Sequence, residues 1–188
     1  MTRLLQWLSG LLVARMAERA PDFSITGPDG AVYLHRYYVT RWRGWFANVA
    51  DGQRSRAQRA VLWVTKHICN LYVHRFVGDD PQEILHDHPS WAVSLIVRNS
   101  YLEHTVAEGG VHHRREYRAG TVRFMSTRHV HRIELLRDAS GQPIECWTLF
   151  LFGPALREWG FHCPKGWVHW KRFVAPGTDN QVQQGCGE

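Results

Sequence analysis

A series of short β-type runs constrains the fold of this chain more than any other feature of its sequence. The runs are rich in β-branched and aromatic residues, and Gly, Pro, Asn, Asp or Ser separate most of them. They cover residues 31–40, 68–77, 83–88, 91–97, 101–107, 112–117, 121–125, 130–136 and 144–152. Because the clear helical pattern lies at the N-terminus, the series predicts an all-β domain built as an antiparallel sandwich or barrel.

Residues 1–20 have a helical pattern. Four leucines fall on one face of a helix, namely Leu4, Leu8, Leu11 and Leu12. This spacing predicts an amphipathic helix that packs on the domain or on a partner. Polar and small residues interrupt the apolar run, so a signal peptide is not favoured. No run of the sequence is long and apolar enough to suggest a membrane span.

The length and composition are those of one globular domain. The chain has 188 residues, of which 44% are hydrophobic and 12% aromatic. We assign residues 21–174 to the β domain, and we expect the polar residues 175–188 to form a flexible tail. The dense aromatic stretch before that tail suits the wall or the plug of a barrel.

The four cysteines point to a reducing environment. They are Cys69, Cys146, Cys163 and Cys186. They show neither CxxC spacing nor close pairing, so the sequence predicts no disulfide framework and no thiolate zinc site. The cytoplasm is the expected location.

The basic charge of the chain comes mainly from arginine. The formal net charge is +6, and 3 of the 23 basic residues are lysines. Arginine grips phosphate and carboxylate with two donors at once, but these arginines are spread along the chain, so nucleic acid is not the expected partner. The segment 41–46, RWRGWF, alternates arginine with aromatic residues. We interpret it as an exposed hairpin or a self-association patch, in keeping with a homodimer, rather than as a platform for single-stranded nucleic acid.

The stretch HDHPSW, residues 86–91, contains two histidines separated by one residue. In a strand, side chains two apart project from the same face and lie about 6 to 7 Å apart, so His86 and His88 can lean together onto one ion. Taken alone, such a pair is more often a surface pair or a hydrogen-bonded core pair than a metal site.

A second histidine-bearing strand strengthens the metal interpretation. His131 enters the run at 130–136 after a polar turn, and His129 precedes it by two residues. If both strands face one cavity, His86, His88 and His131 form a three-histidine set with open positions, which is typical of a catalytic metal site.

These histidines resemble the metal motifs of the cupin superfamily. His86 and His88 match the HxH of its first motif, and Gly120 and His131 have the separation found in its second motif. The glutamate that usually follows the HxH is absent, since Ala92 stands in that region. The proline and glycine of the second motif are also replaced, by Ser126 and Arg128.

Three further stretches resemble a group of small uncharacterised bacterial and phage-type cupins. They are HDHPSW, WTLFLFGP and WGFHCPKGW, and the resemblance runs over residues 33–173. It implies a cupin-type antiparallel β-barrel (a double-stranded β-helix or jelly roll) with a metal site, and it implies no particular substrate.

A site without the glutamate is similar to those of thiol dioxygenases and of some ring- or diketone-cleaving cupins. The resemblance therefore implies a non-haem dioxygenase that acts on a small anionic or aromatic compound, with iron(II) as the first choice of metal. Zinc, nickel, manganese and copper also suit imidazole ligands. Two alternatives stay open: a non-oxidative metal-dependent isomerase, lyase or hydrolase, and a non-catalytic module that binds a ligand or nucleic acid.

Other side chains are candidates for secondary roles at the site. Those that could complete or orient the metal set are His129, Glu103, His104 and His74. Those that could line a substrate pocket are Tyr72, Arg75, Ser94, Trp159 and Phe161. Arg36 and Arg75 occur in matching His-Arg pairs, and either one at the pocket mouth would suit a carboxylate or phosphate.

Overall fold

A computed structural model of the chain describes residues 3–26, 30–42, 45–46, 49–80, 84–106, 110–173 and 185–186. The helices in these ranges are α1 (Arg3–Ala17), α2 (Arg56–Lys66) and α3 (Trp170–Phe173). The strands are β1 (Phe23–Thr26), β2 (Val32–Tyr38), β3 (Asn70–Phe76), β4 (Leu85–His86), β5 (Ala92–Arg98), β6 (Ser100–Val106), β7 (His112–Arg118), β8 (Val122–Met125), β9 (Arg132–Leu135), β10 (Cys146–Phe152), β11 (Gly160–Cys163) and β12 (Gly166–His169).

The strands form one large sheet and two small ones. The large sheet has the order β1-β2-β3-β10-β5-β8, and the small sheets have the orders β12-β11-β4 and β7-β6-β9. An antiparallel bridge between His86 and His131 joins the two small sheets, with both backbone hydrogen bonds present at 2.9 and 3.0 Å. The result is a second array that runs from β12 to β7 and faces the large sheet.

Every one of the nine predicted runs contains a strand, and all pairings are antiparallel. The antiparallel all-β prediction is therefore confirmed, whereas closure into a barrel stays a prediction. The runs at 83–88 and 101–107 and the segment 41–46 extend beyond the described ranges. Three short strands, β1, β11 and β12, were not predicted, because four residues in aromatic or polar surroundings give too little alternation to recognise.

Apolar side chains from both arrays meet in the space between them. Leu34, Phe76 and Ile96 come from the large sheet, and Tyr101 and Leu135 come from the second array. Their contact follows from the period of two in each strand, which places alternate side chains on the inner face. Burying this apolar surface holds the two arrays together.

Helix α1 confirms the predicted N-terminal helix but packs with a face rotated from the predicted one. Ser9 and Val13 are the buried side chains, and Val13 joins a core cluster with Trp147 on the outer side of the large sheet. Of the predicted leucines, Leu12 packs against this cluster, whereas Leu4 and Leu8 are 64% and 49% exposed. The helix is apolar on most sides, so periodicity alone could not place the packing face correctly. Among the described helices, none is long and apolar enough to cross a membrane.

Helix α2 begins with a capping box. The Ser55 hydroxyl accepts from the backbone N–H of Gln58, and the Gln58 side chain accepts from the backbone N–H of Ser55. These two bonds satisfy donors that the first helical turn leaves without partners. The box places the start of the helix at Arg56, directly after the N-cap residue Ser55.

The C-terminal elements pack tightly on each other. The ring of Phe173 in α3 stacks on Phe161 of β11 with centroids 3.7 Å apart. At Gly160, an added Cβ would lie 2.2 Å from the backbone oxygen of Val168, so only glycine fits this approach of β11 to β12.

A disulfide joins Cys163 of β11 to Cys186. The prediction of no disulfide was wrong, because residues 23 apart in sequence meet only after the chain has folded. Cys69 and Cys146 are free thiols. The predicted flexible tail, residues 175–188, lies outside the described ranges except for residues 185–186.

Candidate metal centre

Three imidazoles from separate parts of the chain converge at the junction of the two small sheets. In His86, His88 and His131, called the triad below, one ring nitrogen from each residue lies within 4.8 Å of the others. The ring centroids are 5.0 to 5.1 Å apart, and Nε2 of His88 is 2.8 Å from Nε2 of His131. The predicted convergence of these rings is thus present in the structure.

Strand β4 and the two residues after it position the first two histidines. His86 pairs with Phe161 of β11 on one side and with His131 on the other. Asp87, directly after β4, is buried, and its side-chain partners lie around β11 and β12. Its carboxylate accepts from the Gly160 backbone N–H at 2.8 Å.

Three side chains complete the anchorage of Asp87. Arg157 donates to its carboxylate at 3.0 Å, the indole N–H of Trp167 donates at 3.1 Å, and Nε2 of His162 lies 3.3 Å from it. These bonds tie the HDH stretch to β11, β12 and the loop that precedes them. A charged acceptor that is buried and fully bonded holds its neighbours more firmly than a neutral one.

Glu103 of β6 orients His131. The Nδ1 of His131 lies 2.6 Å from a Glu103 carboxylate oxygen. Burial lowers the pKa of His131 to about 4, so the ring is neutral and its single proton lies on Nδ1, where it is donated to the carboxylate. The Nε2 lone pair of His131 therefore faces the other two histidines. Carboxylate-to-histidine bonds of this kind set the tautomer of metal-ligating imidazoles.

Arg123 of β8 holds the other oxygen of Glu103. Its guanidinium donates to that oxygen at 2.6 Å and to the Tyr101 hydroxyl at 3.0 Å, and it lies over the ring of Tyr117 at 3.8 Å. Burial by itself would raise the pKa of Glu103, but the hydrogen bonds from His129 and His131 and the charge of Arg123 lower it far below the ordinary value. Glu103 is therefore ionised at neutral pH and acts as an acceptor.

His88, like His131, is kept neutral by its surroundings. Burial is the main cause that lowers the pKa of His88 well below 6.5, and repulsion from the neighbouring basic groups, His131 first, adds to it. Neutral imidazoles carry the lone pairs that a metal ion needs.

The donor set fits a divalent ion. Two ligand nitrogens about 2.05 Å from one ion and about 90° apart would lie about 2.9 Å from each other. The 2.8 Å between the Nε2 atoms of His88 and His131 is close to that separation. Glu103 contacts Nδ1 of His131, on the side away from the triad, so it is not counted as a ligand of this ion. The set therefore offers three protein ligands and leaves further coordination positions for a substrate.

A cavity of about 320 Å³ opens beside the triad. Its wall is mainly aromatic and aliphatic, with side chains from β2, β3, β10 and β11. Among the predicted pocket residues, Tyr72, Trp159 and Phe161 line it. A cavity of this size suits a small molecule.

The other two predicted pocket residues do not line the cavity. Arg75 lies on the opposite face of β3, where it pairs with Glu145 at 2.6 Å. Ser94 is buried within β5 and is not part of the wall. Arg36, which belongs to the other His-Arg pair, lines the cavity instead. The register places Arg36 directly opposite His74, which also lies on the wall.

The candidates for secondary roles differ in whether they lie near the triad, on the cavity wall or away from both. Glu103 and His129 lie beside His131, and the Nε2 of His129 is 3.0 Å from the Glu103 carboxylate. His104 faces the other side of β6, where it contacts Glu134 at 2.6 Å, so it does not reach the triad. His74 contributes to the cavity wall, stacked on Phe150 with centroids 4.8 Å apart.

Two residues of the site were missed in the sequence. Asp80 lines the cavity, accepts from the Ile133 backbone N–H at 2.7 Å and lies 3.9 Å from Nδ1 of His86. Arg123 holds Glu103 as described above. The alternation of Arg123 with the apolar Met125 along β8 is a signal that could have placed its side chain inside. Asp80 has no such signal, because it lies in a turn.

Comparisons with known proteins give structural matches only. No family model matches this chain, and no curated protein matches it. An oxalate decarboxylase structure matches at 15% identity with a TM-score of 0.44, covering 77% of this chain and 30% of that chain. The Bacillus subtilis oxalate decarboxylase at pH 4.6 matches at 14% identity with a TM-score of 0.43 and the same coverage. A third structure, from work on the Mn(II) centres of that enzyme, matches at 13% with a TM-score of 0.42. The chain thus spans about a third of the length of these decarboxylases.

Proposed function

We propose that this chain is a metal-binding cupin in which His86, His88 and His131 hold one divalent ion. The observation that carries this proposal is the convergence of three imidazoles, with Nε2 of His88 and His131 2.8 Å apart and Glu103 bonded to the far nitrogen of His131. The two facing antiparallel arrays support the cupin assignment, because they bring the two histidine-bearing segments side by side.

The finer proposal is a non-haem oxygenase that acts on a small anionic or aromatic compound. A divalent ion bound by neutral imidazoles keeps its full positive charge and open positions, and iron(II) also supplies the electron transfer that an oxygenase needs. The protein residues have separate tasks. Glu103 keeps the proton of His131 on Nδ1, Asp87 anchors the HDH stretch, and the aromatic wall excludes water from the bound compound.

Metal content tests the first part. The protein is purified without chelators, and its metal is measured by mass spectrometry in the wild type and in His86→Ala, His88→Ala and His131→Ala. We expect about one equivalent of a divalent ion in the wild type and a loss in each variant. His113→Ala, on the exposed face of β7, is the matched control and should keep the metal. Equal metal in all five proteins would overturn the proposed site.

Oxygen consumption tests the second part. The protein is loaded anaerobically with iron(II), and oxygen uptake is followed with a panel of small aromatic and aliphatic monocarboxylates. Substrate-dependent uptake that is lost in His131→Ala supports the oxygenase. Metal-dependent conversion of a substrate without oxygen uptake would instead support a lyase or isomerase and would overturn the oxygenase proposal.

A further inference from the structure

Arg36 is a cation on the cavity wall that has no carboxylate partner among the described residues. In the described part of the chain, no aspartate or glutamate forms an ion pair with it. By contrast, Arg75 pairs with Glu145 and Arg123 pairs with Glu103. A charge beside an apolar cavity is costly unless something compensates it.

Two contacts hold the Arg36 guanidinium in place. Its Nε donates to Nε2 of His74 at 3.1 Å, and its central carbon lies 5.0 Å from the centroid of the Tyr72 ring. His74 is itself stacked on Phe150 and buried. With Nε engaged in this way, the other guanidinium donors lie on the two terminal nitrogens, which are the pair that grips a planar anion.

Arg36 and the triad belong to the same cavity. Both line it, and the charge of Arg36 acts on His88. The wall between them is apolar, with Phe150 next to His74 and Phe152 facing His88 at a centroid distance of 6.4 Å. A molecule that spans the cavity would meet a fixed positive group, then an aromatic wall, and then the triad.

We propose that the ligand of this cavity is a small monocarboxylate with an apolar body, its carboxylate bound by Arg36 and its other end directed to the triad. This inference rests on the proposed function and names its substrate class. One guanidinium offers the paired donors that one carboxylate accepts. A phosphate dianion would need more charged donors, and the other polar groups of the wall are two tyrosines, Trp159, His74, the triad and the acidic Asp80. Arg36 is a binding residue that also sets the orientation of the ligand.

Paired probes test the charge requirement. Benzoate, phenylacetate, 3-phenylpropanoate and hexanoate are titrated calorimetrically into the full chain, each beside its neutral amide. All titrations are repeated with excess EDTA, so that binding to Arg36 is separated from binding to a metal. We expect at least one acid to bind about 10- to 100-fold more tightly than its amide, with and without EDTA. If no acid is preferred over its amide, the inference is overturned.

Substitutions then locate the preference. Arg36→Leu should remove the preference for the acid over its amide. Arg36→Lys should keep part of this preference, since the charge stays but the paired donors are lost. Arg75→Leu is the matched control on the opposite face of the sheet and should bind like the wild type. Acid binding that is unchanged in Arg36→Leu, or lost equally in Arg75→Leu, would overturn the assignment to Arg36. Should Arg36→Leu fail to fold, the Arg36→Lys variant and the amide comparison still decide.

The two proposals can fail separately. Metal loss in the triad variants reports on the proposed metal site, whereas acid preference in EDTA reports on Arg36 alone. A protein that binds metal but shows no acid preference would keep the metal centre and overturn the ligand class. A protein that prefers acids but holds no metal would keep the ligand class and overturn the metal centre.

Discussion

The carboxylate of Glu103 lies 2.6 Å from Nδ1 of His131 and thereby determines which nitrogen of that ring faces the cavity. Residues 28 apart in the sequence make this contact, across the antiparallel pair of β6 and β9. Because of this contact, His131 directs the lone pair of its Nε2 toward the other two histidines, where it can serve as a metal ligand.

Removing the charge of Glu103 should weaken metal binding. In Glu103→Gln the amide no longer favours the Nδ1–H tautomer of His131, so we expect the dissociation constant for zinc or iron(II) to rise about 10- to 100-fold. Competition with a chromophoric chelator measures it. Glu134→Gln, which alters the bond to His104 on the other face of β6, is the control and should bind as the wild type does. Unchanged affinity in Glu103→Gln would show that Glu103 does not orient the ligand.

Asp87 should be a major determinant of stability. It is buried and accepts hydrogen bonds from the backbone of Gly160 and from Arg157 and Trp167. Asp87→Asn removes the charge that these donors share, and we expect the free energy of unfolding to fall by about 2 to 4 kcal/mol. Urea unfolding followed by tryptophan fluorescence gives the value. Glu116→Gln on exposed β7 should leave the midpoint unchanged, and an equally small effect of Asp87→Asn would contradict the anchoring role.

The buried His74 should make stability sensitive to acid. Burial, followed by the charge of Arg36, lowers the pKa of His74 well below 6.5. Below about pH 6.5 the unfolded chain takes up a proton at this residue and the folded chain does not, so the wild type loses stability as the pH falls. The difference in unfolding free energy between the wild type and His74→Gln should therefore shrink from pH 7 to pH 5, by at most about 2 kcal/mol. For the exposed His113→Gln we expect a difference from the wild type that stays constant across this range. A constant difference for His74→Gln as well would contradict the predicted acid sensitivity.

The bond between Cys163 and Cys186 should stabilise the C-terminal elements. A crosslink between residues 23 apart restricts the unfolded chain, which corresponds to about 3 kcal/mol of stability on the chain-entropy model. Cys186→Ser should unfold at a lower urea concentration than the wild type, and a reductant should remove the difference. Cys69 is already free, so Cys69→Ser serves as the control. Cys146 is buried, so thiols are counted in protein that is denatured without a reductant. Labelling of four thiols there would show that the bond does not form.

Much of the site could be predicted from local pattern. The strand ranges followed from composition and turns, and the same-face placement of His86 and His88 followed from the period of two. The period also implied that Glu103 and His104 point to opposite faces, although it could not say which of them faces His131. Only the pairing of β6 with β9 decided that Glu103 does.

Side-chain partners and packing faces depended on the tertiary structure. Arg36 and Arg75 have similar sequence surroundings, yet one lines the cavity and the other pairs with Glu145 on the outside. Helix α1 is apolar on most sides, so the sheet beneath it selected the face around Val13.

The sequence by itself determined nine of the twelve described strands, their two-residue alternation and therefore the histidines that could share a face, because backbone geometry imposes these locally. The tertiary structure alone decided that His86 pairs with His131, that Cys163 meets Cys186 and that Arg36 lines the cavity. Such contacts join residues distant in the chain, and their formation depends on which surfaces bury together on folding rather than on any local preference.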